Sequence, residues 1–302
     1  MCGVAALQLR DPGLQSQLGR LLTTMMCQVA ERGPDSAGVG IYGDHADSEM
    51  LGITLIPGAS TVGPLEASAV GDALTPALDG ARLAVTDLGQ AVLVRTDADA
   101  STALAAIATA VPEAVVAGLG SELLVVKGVG RPADVAAAAR LEDIAGWQGI
   151  SHTRMATESA VSPAGAHPYA VAPELALVHN GSFANHVTIR RDLERVGVVF
   201  DSDNDSEVAA RYIAYRMSEG ESLVVALRKL CDSFDGFFTL VVTTASELAV
   251  VRDPIACKPA LVAETESWVA IASEYRALAQ LPGVEGARIF EPEPGRVYSW
   301  AR

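Results

Sequence analysis

The chemistry in this chain starts at its second residue. Cys2 stands directly behind Met1 in "MCGVAALQL". Loss of Met1 would leave one residue carrying both a thiol and a free α-amine. An α-amine has an ordinary pKa of ~7.7–8.0, so it takes up a proton near neutrality. A thiol nucleophile needs such a base beside it. An N-terminal nucleophile served by its own amine is a known variant of the Ser-His-Asp arrangement. Taken alone, Cys2 reads as a small buried residue on a strand.

Four further stretches hold polar groups in punctuated settings. "RGPDSAG" (32–38) is a Gly/Pro-rich loop between a helix and a strand. "SHTRMATES" (151–159) sets Arg154 among small polar residues. "HNGSFAN" (179–185) places an amide side chain beside a glycine at a strand-to-turn junction. "DSDNDSEV" (201–208) gathers carboxylates at a helix start. Singly, each has a plain structural reading: an ion pair for Arg154, a turn for Asn180-Gly181, a solvated N-cap for the acidic cluster.

The elements that must position these groups follow from pattern. Residues 2–9 form a short apolar run ended by charge and proline, as in a buried strand. Asp11-Pro12 opens a helix, with apolar residues at helical spacing through Val29 and Gly33 as its stop. "AGVGIYGD" returns to strand. Between 52 and 150 the chain is rich in Ala, Gly and Val. Strands are expected near 81–86, 91–95 and 122–127, with helices at 101–111 and 132–141. "ELALVHNGSFAN" is a strand running into a turn and a helix, and "NDSEVAARYIAYRMSEG" a helix capped by Asn204 or Asp205 and ended by Gly220. "ESLVVALRKLCDS" is another helix. Two hairpins and a closing strand, "PGRVYSW", complete the chain. Adjacent strands joined by short turns favour antiparallel sheets covered by helices. Pattern alone reaches an α/β-layered, mostly antiparallel fold.

Composition narrows the partners. The chain has 302 residues, 50% of them hydrophobic, and a formal net charge of −15. That balance argues against nucleic acid and against an anionic membrane surface. No segment reaches the ~20 apolar residues that span a bilayer, and no basic region precedes the first apolar run as a signal peptide requires. Cys2, Cys27, Cys231 and Cys257 are widely spaced and read as reduced thiols in a cytoplasmic setting. No CxxC pair suggests a metal.

Taken together and in order, MCG, RGPDSAG, HTRMAT, the AHP of "GAHPYA", LVHNGSFAN and NDSEV resemble the class II glutamine amidotransferases, N-terminal-nucleophile (Ntn) hydrolases that release ammonia from glutamine. "DGFFTLVVTT" and "VVRDPIACKPALVAE" are similar to the end of that domain. The resemblance covers roughly 1–43 and 146–302. It implies an α+β fold: a four-layer αββα sandwich of two mostly antiparallel sheets. The chain is then one amidotransferase domain, 1–302, interrupted by a small αβ insertion at about 52–145. "KGVGRPADVAAAARL" within that segment looks like the stand-alone amidotransferase subunit of N-methylglutamate synthase and its glutamate-synthase-like relatives.

The resemblance also assigns roles. Cys2 matches the nucleophile. Asn180 and the backbone N–H of Gly181 match the oxyanion donors, a type of contact contributing ~2.7–4 kcal/mol each. Arg154 matches the group that grips the substrate α-carboxylate, Asp205 the acid facing the α-ammonium, and Thr157 a lining residue. Arg32 matches an arginine at the nucleophile's end of the pocket, expected to orient rather than react. His152 and His179 are read as structural hydrogen-bonders. Glu158 stands where many relatives carry histidine. The chain shows no acceptor domain, P-loop or dinucleotide motif. The expectation is therefore no cofactor in this chain and a separate flavin-dependent, glutamate-synthase-like partner, docked with the help of the Ala/Val-rich insertion. Another Ntn amidohydrolase, or a glutamine-sensing subunit with little turnover, is the alternative.

Overall fold

The computed structural model describes residues 2–44, 50–58, 61, 63–155 and 161–302. β1 (Gly3–Leu9) is buried along its whole length. A 3-10 turn, Pro12–Gln17, leads to α1 (Leu18–Gln28) and then β2 (Ser36–Tyr42). β3 (Leu51–Pro57), α2 (Ala67–Ala77), β4 (Leu83–Asp87), β5 (Val92–Thr96), α3 (Ala100–Ala110) and β6 (Ala114–Gly120) follow. Next come β7 (Leu123–Val129), α4 (Pro132–Ala138), β8 (Gln148–Arg154), β9 (Tyr169–Ala172) and β10 (Leu175–Phe183). α5 (His186–Arg195), α6 (Asp205–Ser218) and α7 (Leu223–Ser233) run before β11 (Gly236–Thr243) and β12 (Glu247–Arg252). β13 (Leu261–Glu264), β14 (Trp268–Ala272), the single turn α8 (Tyr275–Leu278), β15 (Arg288–Phe290) and β16 (Tyr298–Ala301) close the chain.

Three antiparallel sheets result. The first runs β15-β13-β14-β1-β8-β2-β7, the second β16-β12-β11-β10-β9, the third β4-β5-β3-β6. One core fills the space between the first two sheets and beneath α1, α4 and α8. A second lies between the five-stranded sheet and α5, α6 and α7. The main body is therefore the expected αββα sandwich. β1 is central because its pairings with β8 and β14 leave neither edge exposed, which suits a strand that is apolar on both faces.

The segment from 52 to 145 divides in two. β3 to β6, with α2 and α3, close over their own core of Ile53, Leu74, Val94 and Ile107 among others. β7 and α4 instead belong to the main body, β7 as the edge partner of β2. The apolar helix faces, Val70 and Leu74 on α2 and Ala103, Ala106 and Ile107 on α3, are buried inside this lobe. Glu174 ties the β6–β7 turn to the β9–β10 turn by accepting from the backbone N–H of Glu122 at 3.1 Å and of Leu123 at 2.9 Å.

The helix after β1 differs from its sequence pattern. Asp11 caps the 3-10 turn rather than an α-helix, and α1 ends at Gln28, not at Gly33. Beyond Gln28 the chain tightens into a 3-10 turn in which Arg32 N donates to the Val29 carbonyl at 3.1 Å, and that carbonyl also accepts from Thr153 Oγ1 at 3.1 Å. That contact brings residues 30–33 across the end of β8.

Candidate functional site

Cys2 lies at the open end of β1, half-buried. Its neighbour Gly3 pairs with Thr153 of β8. A Cβ on Gly3 would stand 2.7 Å from Thr153 Oγ1 and 2.8 Å from the Val29 side chain, so only glycine lets β1 sit this close. Arg32, on the short 3-10 turn after α1, donates from Nε to the Cys2 carbonyl at 2.9 Å and from Nη1 to Glu274 Oε1 at 2.8 Å. Glu274 in turn holds Arg276 at 2.7 Å. The chain end is thus fixed by a charge-assisted bond to its own backbone, a stronger contact than a neutral pair. Cys2 Sγ lies 4.0 Å from the Met155 carbonyl.

Arg154 is the last residue of β8 and 5% exposed. On a strand it shares the face of His152. His152 Nε2 sits 3.0 Å from the His179 carbonyl on β10, so that face looks across the gap between the two large sheets. A carbonyl only accepts, which makes Nε2 the protonated nitrogen of His152. Burial lowers the His152 pKa to about 3 and also pushes His167, stacked on it at 4.1 Å, well down.

β10 divides its residues by alternation. Ala176 and Val178 enter the core between the sheets, while Leu175 and Leu177 face the helices. Asn180 therefore points into the inter-sheet gap with Arg154, and His179 points toward α6. Asn180 is 2% exposed, and its Nδ2 meets no acceptor among the described residues. A buried amide donor left unmet costs about 1–3 kcal/mol, and such groups mark places where a ligand supplies the partner. Gly181 follows with φ +153°. A Cβ there would stand 2.1 Å from the Phe237 carbonyl on β11, so the position admits only glycine.

On the helix side, Asn204 caps α6 by accepting from Ser206 N at 2.9 Å. Asp205, first residue of α6, accepts from Phe183 N at 3.0 Å. His179 Nδ1 lies 2.8 Å from Ser206 Oγ, which lies 3.3 Å from Asp205 Oδ1. The carboxylate can only accept, so the Ser206 hydroxyl donates to it and accepts from His179 Nδ1–H. His179 Nε2 is left as a buried, unprotonated nitrogen without a partner among the described residues. Burial holds His179 neutral by lowering its pKa. Glu207, next in the acidic cluster, serves architecture: it binds Arg211 at 2.7 Å and Ser202 N at 2.7 Å.

Cys2, Arg32, Arg154, Asn180, Gly181 and Asp205 thus sit at the ends of β1, β8, β10 and α6 and on the turn that crosses them. Thr157 and Glu158 lie outside the described residues. Sequence reasoning did not single out Lys127, Ser206 or Glu274. Lys127 is 4% exposed, holds the Ala166 and Pro168 carbonyls at 3.0 and 3.3 Å, and has its pKa lowered by burial to about 8. Its signal was a lone charge inside the apolar run "LLVVKGV".

A family profile described as a glutamine amidotransferase domain matches residues 152–280. The chain is 45% identical over 302 residues to the glutamine amidotransferase-like protein GlxB of Rhizobium meliloti, covering 99% of this chain and 98% of that one. The chain belongs to the class II glutamine amidotransferases. A glutamine–fructose-6-phosphate aminotransferase of Xylella fastidiosa is 40% identical over 122 residues, covering 40% of this chain and 20% of that enzyme. The solved glutamine phosphoribosylpyrophosphate amidotransferase of B. subtilis shares the fold, with a TM-score of 0.62 and 18% identity over 99% of this chain. This amidotransferase chain spans 47% of that solved chain, about half its length. Among the described residues, no helix is long and apolar enough to cross a membrane, and no cluster of metal-ligating side chains occurs.

Proposed function

We propose that this chain hydrolyses the side-chain amide of L-glutamine through a thioester on Cys2 and hands the ammonia to a separate subunit. The observation that carries the reading is the Asn180 amide, buried and without a partner among the described residues, beside the obligatory glycine at 181. Attack on an amide carbon puts negative charge on its oxygen, and preorganised donors are worth most where that charge develops. Asn180 Nδ2 and Gly181 N–H fill that role.

Once Met1 is removed, the Cys2 thiol gives its proton to the α-amine, directly or through one water, and Sγ attacks the amide carbon. The amine returns the proton to the leaving nitrogen, and ammonia departs. Water then attacks the thioester, the amine takes one of its protons, and glutamate leaves as the thiol re-forms. Arg32 keeps the Cys2 backbone in place through its carbonyl. Arg154, a planar fork at the end of β8, binds the α-carboxylate. Asp205 receives the α-ammonium.

The acceptor is proposed to be a flavin-dependent synthase subunit of glutamate-synthase type, as in N-methylglutamate synthase, with both chains in the cytoplasm. Support comes from the pattern of "KGVGRPADVAAAARL" and from four cysteines that are all free thiols. Ammonia release from L-glutamine, compared with other amides and with the Cys2→Ala variant, tests the hydrolase. Equal turnover of simple amides would remove the amino-acid roles of Arg154 and Asp205.

A further inference from the structure

A cleft of about 360 Å³ opens on the far face of α1, between it, α4 and the 3-10 turn Leu141–Asp143. It is in the size range of small-molecule sites. α1 meets the 3-10 turn tightly at one end, where Gly19 N donates to the Ile144 carbonyl at 3.0 Å and a Cβ on Gly19 would stand 1.9 Å from the Leu141 carbonyl. One turn further along, they part. The walls there are the alanines of α4 and Leu141.

Thr23 lines this space with a hydroxyl that is buried and unpartnered. Helical threonines usually bond back to the carbonyl four residues earlier. Thr24, Thr75 and Thr109 do so here, at 2.9, 2.7 and 2.9 Å. Thr23 does not, although it is only 7% exposed. At the rim, Arg140 and Asp143 neutralise each other at 2.9 Å. Glu142 makes no ion pair among the described residues; burial first, and then the field of Glu142, raise the pKa of the neighbouring Cys27 thiol. The cleft therefore offers an apolar wall, one unmet hydroxyl and one net negative charge.

We propose that this cleft binds a small organic ammonium, its cation toward Glu142 and Thr23 and its apolar body against α4, and that its occupancy is felt at Cys2. The route is the C-terminal end of α1. Two residues beyond Cys27, the Val29 side chain fills the space where a side chain on residue 3 would stand, and its carbonyl accepts from Thr153. Three residues on, Arg32 grips the Cys2 carbonyl. A ligand that shifts the last turn of α1 moves both contacts together. The effect on Cys2 rests on its reading as the nucleophile, whereas binding does not.

Titration calorimetry of the full chain with phenethylammonium chloride, against hydrocinnamate of similar size and opposite charge, tests the site. Saturable binding of the amine alone is expected. Thr23→Val, Ala137→Leu and the exposed Glu142→Gln should each weaken it about tenfold, the loss of one good contact, and the amine should slow alkylation of Cys27. No saturable binding, equal binding of hydrocinnamate, or unchanged affinity in all three variants overturns the site. At saturation, the alkylation rate of Cys2 by a chloroketone analogue of glutamine should change at least about twofold, roughly RT ln 2 in barrier. An unchanged rate overturns the coupling. A Cys2 that no such reagent labels, beside normal amine binding, overturns the nucleophile instead.

Discussion

Asn180 combines burial with an unmet donor, and the two properties make opposite demands on Asn180→Ala. Removing an oxyanion donor should lower kcat about 10²–10³-fold. The same change deletes a buried donor that nothing among the described residues accepts, so stability should stay within about 1 kcal/mol. Kinetics and thermal melts on one preparation check both. A large loss of stability would mean that Asn180 holds the fold rather than the substrate. Ser206→Ala removes the hydroxyl between His179 and Asp205. It should raise KM for glutamine about tenfold, the worth of one charge-assisted contact, while kcat falls less. Ser206→Thr should restore KM. Cys257, an exposed free thiol, is the control: Cys257→Ser should keep full glutaminase activity, whereas Cys2→Ala should abolish it.

At the scale of elements, β10 against β11 is the tightest junction of the site. Gly181→Ala would force a methyl onto the Phe237 carbonyl. It should destabilise the chain by about 1–3 kcal/mol and remove activity, as melts and assays would show. A near-normal melt with near-normal activity would contradict the placement of Gly181. β1, β2 and β10 were legible as short apolar runs ended by charge, proline or glycine, and α6 by its cap and its stop. β3, α2 and β6 were not. α2 carries Gly71 and Pro76 within one helix, and β6 carries Gly118 and Gly120 within one strand. Local propensity opposes both elements, and burial of Val70 and Leu74 on the lobe's own sheet overrides it. The roles proposed for Cys2, Asn180 and Asp205 rest on the ordered motifs and not on any local pattern. Ser206 and Glu274 act through tertiary contacts that no local pattern announces.

Among the described residues three histidines are buried, His152, His167 and His179, and burial holds all three neutral. Their pKa values are lowered in the folded state, so below the ordinary value of ~6.5 the unfolded chain binds protons that the folded chain does not. Stability is fully present above that pH and falls as pH drops toward about 3, the folded value of His152. The slope reaches at most about 4 kcal/mol per pH unit if all three stay neutral, at ~1.36 kcal/mol each. Denaturant unfolding from pH 7.5 to 5 should show the decline, and His152→Gln should flatten it. A pH-independent midpoint across that window would contradict the buried neutral assignment.

The central claim is that Cys2 becomes the chain's first residue and attacks glutamine. Intact mass of the purified protein, before and after a chloroketone analogue of L-glutamine, reports both halves in one spectrum. The predicted result is a chain lacking Met1 that gains a single adduct, mapped by peptide to Cys2, with glutaminase activity lost in step. Full activity in a chain that keeps Met1, or an adduct on Cys27, Cys231 or Cys257 with Cys2 unlabelled, would contradict it.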